Sequence, residues 1–353
     1  MLFRSDRALS PMRPVMRGMA ENPDVFFAHR ESCNPYYNEV ADIVSDYMDE
    51  ISKITGRTYR FRTIRYKNGL ICPHCGSTQK VGTRADQPKL CNCNHCHNTF
   101  SIFTGTIFEK SSTNLTKWFY AVHLILNAKK GISALQLQRE IGTTYKTAWR
   151  MLKQIRIAMG NENLTKSFEL IVEVDETYVG GKPRKQNNNL QFTTPKTKDT
   201  STTGRGTKKT PLIGVKERGT GRVYARVALP NEEGKKLTGI QLLKVISTVT
   251  KPNTVVMTDD FKGYNIMNHE KTNPEKFTHI SVCHSLGEFS AGKGLHTNGI
   301  ESFWAILKRA IIGNYHHVST KYLQSYVNEC CFRQNNRGKT AFDKLLMQSV
   351  LTT

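Results

Sequence analysis

A C-x2-C pair repeated after seventeen residues, a helix–glycine–helix pattern behind it, and an alternation of apolar strands and helices from residue 168 onward predict a multi-domain chain. The predicted order is a zinc ribbon, then a helix-turn-helix, then an α/β domain built on a mixed sheet with flanking helices. At about 150 residues per domain, the 353-residue length allows two domains, or one larger domain with two small modules. Apolar residues make up 38% and charged residues 23%, proportions that support packed cores rather than wholesale disorder.

The boundaries follow from composition. Residues 1–66 carry helical apolar spacing over Asn38–Ile54 (Val40, Ile43, Val44, Tyr47, Met48, Ile51) and no motif that assigns them a role. The ribbon is expected at 67–108. Five of nine cysteines fall between 72 and 96, and the total is odd, which is not the spread of a secreted disulfide framework. Cys72, Cys75, Cys93 and Cys96 have the spacing of two tight knuckles that turn four thiolates onto one Zn²⁺. Gly76 supplies turn freedom after the first pair, while Cys91, His74, His95 and His97 compete as ligands. Phe100–Phe108 alternates β-branched and aromatic residues and predicts paired strands around Gly105.

Residues 109–162 are expected to hold the helix-turn-helix. Helical patterns run over Asn114–Lys129, Ser133–Ile141 and Thr143–Met159, with Gly131 and Gly142 as breaks. The groove-facing candidates on the last helix are Thr143, Thr144, Lys146, Thr147 and Arg150. Residues 163–353 are the predicted α/β domain. Its strands are expected at Phe168–Glu176, Pro211–Lys216, Arg222–Leu229, Thr254–Thr258 and His279–Cys283, and its helices at Leu237–Thr248, Ile300–Ile311 and Tyr322–Asn335. Residues 182–209 form an insertion with eight Lys/Arg and one acidic residue, expected as a loop that either links or clasps a polyanion.

The 51 Lys plus Arg exceed the 29 Asp plus Glu, leaving a formal net charge of +22. Such a surplus points to a polyanionic partner, with nucleic acid first and a membrane surface or ribosome second. The longest apolar run, around Trp118–Leu126, is broken by His123 and falls short of the roughly 18 residues of a span, so no membrane partner is expected. Met1–Ala20 has four arginines and no apolar core, so no secretory signal is expected either.

Three carboxylates sit where elements end or begin: Asp175 closing one apolar strand, Asp259 closing another, and Glu301 opening a helix. Hard Mg²⁺ (or Mn²⁺) suits such oxygens, and a pair of ions can activate an attacking oxygen and stabilise a leaving one. On the Glu301 helix, Ile300, Phe303, Trp304, Leu307 and Ile311 share one arc, while Glu301 and Lys308 lie about 20° apart on its flank.

With these motifs in hand, residues 67–340 are seen to resemble bacterial insertion-sequence transposases of the DDE superfamily, in the zinc-ribbon-bearing group related to Merlin elements. The resemblance rests on Cys72-Pro-His-Cys75-Gly, Phe100–Glu109, Glu173-Val-Asp-Glu-Thr-Tyr-Val-Gly-Gly-Lys182, Thr258–Tyr264, His296–Trp304 with Leu307-Lys-Arg309, and Tyr315-His-His-Val318. It implies an RNase H-like catalytic domain, with Asp175, Asp259 and Glu301 as metal-binding triad and Lys308 as the associated basic residue. Asn298, one turn before Glu301, is the alternative third ligand; a charged oxygen favours Glu301. The implied activity is binding of terminal inverted repeats, phosphodiester hydrolysis and strand transfer into target DNA, by a homodimer or larger assembly, in the cytoplasm with the nucleoid. Rival expectations are an RNase H-like nuclease or resolvase without strand transfer, and a transposase-derived DNA-binding regulator.

Overall fold

The computed structural model describes residues 65–66, 68–84, 86–87, 89–180, 209–228, 230, 237–282, 296–337 and 341–351. The helix expected over Asn38–Ile54 and all of the basic insertion but residue 209 lie outside the described residues, as do Cys33 and Cys283. The chain forms two compact units, Met1–Asn161 with Lys339–Thr353, and Glu162–Gly338.

The first unit opens with a three-stranded antiparallel sheet, β1 (Val81–Thr83), β2 (Leu90–Cys93) and β3 (Thr99–Ser101), with β2 in the middle. Past Ser101 the expected strands do not form. Successive turns close instead, from Thr104 N–H to Ser101 O, Thr106 N–H to Phe103 O and Glu109 N–H to Thr106 O. The hydroxyls of Ser101, Thr104 and Thr106 also bond to nearby backbone groups, giving this stretch a local alternative to a ladder. Ile102, Ile107 and Phe108 still reach the core, so the apolar periodicity is satisfied without strand pairing.

Three helices follow: α1 (Leu115–Asn127), α2 (Ala134–Ile141) and α3 (Tyr145–Met159). Each begins at a side-chain cap, with Asn114, Ser133 and Thr144 accepting a first-turn N–H. Gly142 ends α2 at φ +60°, a conformation that favours glycine. Ala148, Leu152 and Ile155 are fully buried, as their spacing predicts. The last helix of the chain, Ala341–Leu351, belongs to this unit: Ser349 O accepts the Ile107 N–H at 3.3 Å, and Phe342 meets Phe119 edge-on. The expectation that residues 163–353 form one domain therefore differs from the packing at this C-terminal helix. Its apolar residues specify burial but not which unit they bury against.

The second unit is a five-stranded sheet in the order β6-β5-β4-β7-β8. Its strands are β4 (Ile171–Val179), β5 (Thr210–Glu217), β6 (Val223–Val227), β7 (Val255–Thr258) and β8 (Thr278–Ser281). β4, β5 and β6 run antiparallel, while β7 pairs with β4 and β8 with β7, both in parallel. Strand alternation divides the sheet into two faces. Val172, Val174, Ile213 and Val215 pack with α4 (Gly239–Val249) and a short 3₁₀ segment, Lys262–Asn268. On the other face Leu212 and Ala225 pack with α5 (Asn298–Ala310) and α6 (Thr320–Asn335). α5 comes very close there, since a Cβ on Gly214 would lie 2.5 Å from the Trp304 ring.

Candidate active site and thiol cluster

β4 and β7 pair from Ile171↔Val255 to Glu173↔Met257, after which the ladder stops. Two residues further along the chain in each case come Asp175, still on β4, and Asp259, just past the end of β7, so the parallel register leads these carboxylates to the same place. β4 continues past this point with its β7 side unpaired, out to Val179, and Asp175 therefore stands inside a nine-residue strand rather than at its end. At the open edge the structure adds a residue that sequence reasoning missed. Asp175, Glu176 and Asp259 have ligand atoms all within 4.8 Å of one another. Pleating alone assigns Asp175 and Glu176 to opposite faces, so adjacency in sequence gave no reason to combine them.

Glu176 is oriented by the Tyr264 hydroxyl, which donates to its Oε2 at 2.9 Å. Tyr264 is fully buried, and burial together with the nearby Glu176 carboxylate pushes its phenol well above the ordinary range. Asp259 Oδ1 accepts the Phe261 N–H at 3.1 Å, and Asp175 Oδ1 accepts the Glu176 N–H at 2.8 Å. Burial, reinforced by the Glu176 and Asp259 charges, pushes the Asp175 carboxyl up to about 7. The cluster thus concentrates negative charge in a partly dehydrated place, an arrangement that a divalent cation relieves.

Glu301 is exposed in the first turn of α5 and lies outside the three-carboxylate group, although its charge reaches Asp175. Its Oε1 accepts from the Thr297 hydroxyl at 3.3 Å. Asn298 is the exposed first residue of the same helix, and Lys308 is exposed near its last turn. The core arc is as the sequence predicts, with Ile300, Phe303, Trp304, Leu307 and Ile311 buried. The His296 carbonyl accepts from Arg218, and its Nδ1 lies 3.5 Å from Glu173 Oε1.

In the first unit, Cys72, Cys75, Cys93 and Cys96 cluster with all four sulfurs within 4.8 Å. The Cys72–Cys96 and Cys75–Cys93 Sγ separations are 3.6 and 3.7 Å. A tetrahedral ion with metal–sulfur bonds of about 2.3 Å has edges of about 3.8 Å, so the thiols are spaced for one. Gly76 turns the first knuckle at φ +72° and His97 turns the second at φ +56°. Cys91 is buried and outside the cluster, and His74, His95 and His97 are exposed and outside it too.

The helix-turn-helix candidates have different environments. Thr144 caps α3, and its hydroxyl bonds to that of Thr147. Thr143 is half-buried, and the Arg150 guanidinium donates to Glu109 O. Lys146 is exposed beside Tyr145, a large exposed side chain that the sequence reading passed over.

Residues 169–335 match the family model of the ISXO2-like transposase domain. A protein of the transposable element ISH50 of Halobacterium salinarum is 31% identical over 294 residues, covering 80% of this chain and 92% of the relative. The chain belongs to this family of insertion-sequence DDE transposases. A different relative, the pyruvate-flavodoxin oxidoreductase of Trichormus variabilis, is 52% identical over 54 residues, covering 15% of this chain and 4% of that protein. Among solved structures, the simian T-cell lymphotropic virus intasome in complex with PP2A regulatory subunit B56 gamma aligns over 60% of this chain and 64% of that one, at 15% identity and a TM-score of 0.28. A pre-cleavage Mos1 transpososome aligns over 65% and 83%, at 10% identity and a TM-score of 0.20.

Proposed function

We propose that the protein binds the terminal inverted repeats of its element, hydrolyses a phosphodiester at each end, and joins the freed 3′-hydroxyl to target DNA. The observation that carries this reading is the convergence of Asp175 and Asp259 at the open edge of β4, in a chain of this family. The order of three antiparallel strands followed by two parallel ones supports reading the second unit as RNase H-like. Asp175 and Asp259 would hold Mg²⁺ (or Mn²⁺), with Glu176 beside them and Glu301 as the further ligand from α5; Asn298 is the alternative. When bound, the ions supply activation of the attacking oxygen and stabilisation of the leaving one. Tyr264 keeps the Glu176 carboxylate turned into the site. Lys308, on the same flank of α5 as Glu301, is placed to hold a DNA phosphate as a point charge.

The thiol cluster would hold a structural Zn²⁺, since all four corners are protein thiols and none is left for substrate. Lys146 and Tyr145 at the start of α3 are exposed for contact with DNA, with Thr143 beside them, while Thr144, Thr147 and Arg150 cap and brace the helix that carries them. The +22 surplus supplies the salt-sensitive, sequence-independent part of the affinity. Two ends must be cut together, so the working form on DNA is a homodimer or larger, acting at the nucleoid in the cytoplasm.

The N-terminal segment has a different origin in this reading. The alignment with the halobacterial relative covers 80% of this chain and leaves a fifth of it, room for the oxidoreductase stretch, which covers 15%. Only 18 residues follow the family match at 335, so a separate stretch of that length falls before it. We place it within residues 1–66, which carry none of the transposase motifs.

The test is purified protein with Mg²⁺ and labelled end DNA, in which nicking and joining are both expected and Asp259→Ala abolishes both. Joining that survives this substitution refutes the metal site. Nicking without joining favours the resolvase reading, and binding without cleavage favours the regulator.

A further inference from the structure

Glu173 is 2% exposed, one pleat before Asp175 on the sheet face that α5 covers. Its two oxygens have different partners. Oε1 accepts from Arg218 Nε at 2.7 Å, while Oε2 accepts the backbone N–H of Ile300, in the first turn of α5, at 2.9 Å. Arg218 also donates to the carbonyl of His296, and Lys216 Nζ donates to the carbonyl of Gly299 at 2.9 Å. Residues 296–300 are therefore pinned to β4 and to the end of β5 from both the amide and the carbonyl side. The fit depends on Gly299, where a Cβ would lie 2.5 Å from Glu173 Oε2.

We infer that Glu173 and Arg218 are positioning residues that set where Glu301 stands relative to Asp175. The inference rests on the metal-site reading given above. Asp175 lies two residues after Glu173 on β4, and Glu301 directly follows the residue whose amide Glu173 holds, so one hydrogen bond links the two segments that carry these carboxylates. The apolar face of α5 holds the helix against the sheet, but burial is non-directional and constrains the helix along its axis less sharply than a hydrogen bond does. Charge-assisted hydrogen bonds are directional and short, and supply that register. The motif glutamate in Glu173-Val-Asp175 and the glycine in Gly299-Ile-Glu301 thereby acquire a joint role.

The experiment compares the full chain with Glu173→Gln, Gly299→Ala and Asp259→Ala. The readouts are Mn²⁺ affinity by electron paramagnetic resonance, hydrogen exchange of the 298–301 amides, and thermal melting. Glu173→Gln keeps an acceptor for Ile300 but loses the charge that pairs with Arg218. Gly299→Ala removes no charge and pushes the helix off Glu173. Both are expected to exchange faster at 298–301 and to bind Mn²⁺ about tenfold more weakly, the range typical of residues that orient metal ligands. In a Glu301→Gln background the Glu173→Gln effect on Mn²⁺ should vanish, because it acts through Glu301. Unchanged Mn²⁺ affinity alongside faster exchange shows a merely structural contact and overturns the inference. So does a weakening that persists undiminished without Glu301. If Asp259→Ala binds Mn²⁺ as the parent does, the metal-site reading fails and takes this inference with it. If Asp259→Ala is weakened and Glu173→Gln is not, only the inference fails.

Discussion

Replacing Asp175 by Asn is expected to abolish cleavage and yet stabilise the metal-free protein at neutral pH. The folded carboxyl holds its proton up to about pH 7, whereas an ordinary aspartate releases it near 3.8. Between these values the native state binds more protons than the unfolded chain, so stability falls as pH rises through this window. The full penalty is present above pH 7. Roughly three decades of proton affinity at about 1.4 kcal/mol each set a ceiling of about 4 kcal/mol. Asp175 is only partly buried and its neighbours relax, so about 2 kcal/mol is the expected size. Asn carries no charge and escapes the Glu176 and Asp259 repulsion. The assay is denaturant unfolding in EDTA at pH 4 to 8, followed by a probe in the second unit. Asp175→Asn should unfold later than the parent at pH 8, and the gap should close towards pH 4. Added Mg²⁺ should stabilise the parent but not the variant. A variant no more stable than the parent at pH 8 would refute the picture of a strained acidic cluster awaiting a cation.

Three further outcomes follow from the packing. The chain should purify with one zinc, and Cys72→Ala should lose it together with end-DNA binding, because a structural zinc site contributes on the order of 10 kcal/mol to its own module; elemental analysis and a gel-shift assay check this. Deleting residues 339–353 should destabilise the first unit by at least about 2 kcal/mol through loss of the buried Leu345 alone, and should leave the melting of the second unit in place. Removing residues 1–64 should leave nicking and joining unchanged, while retaining Arg65, whose guanidinium donates to Ile102 O; a loss of activity on otherwise folded protein would count against a separate origin for that segment.

Local chemistry made much of the molecule legible in advance. Knuckle spacing, Ser/Thr/Asn caps and the Gly142 break depend on residues within a turn of one another, and they sit where their sequence places them. The same holds for the arc Ile300–Leu307, because helical periodicity is a property of the chain alone. Phe100–Phe108 was misleading for a physical reason: its alternation is real, but its hydroxyls close turns that compete with strand pairing.

The sequence by itself offered the thiols and most of the carboxylates that could hold a metal, and the strands and helix that carry them. Only the tertiary structure decided which of them meet. Strand register set Asp259 beside Asp175, and the unpaired edge of β4 brought in Glu176, held by a tyrosine 88 positions away. Contact between the C-terminal helix and the first unit, and the grip of Glu173 on Ile300 across 127 positions, likewise depend on packing between distant segments. Propensity and spacing act over a few residues, whereas strand register is set by the burial of both sheet faces and helix docking by that burial together with directional bonds between distant segments, which no local stretch encodes.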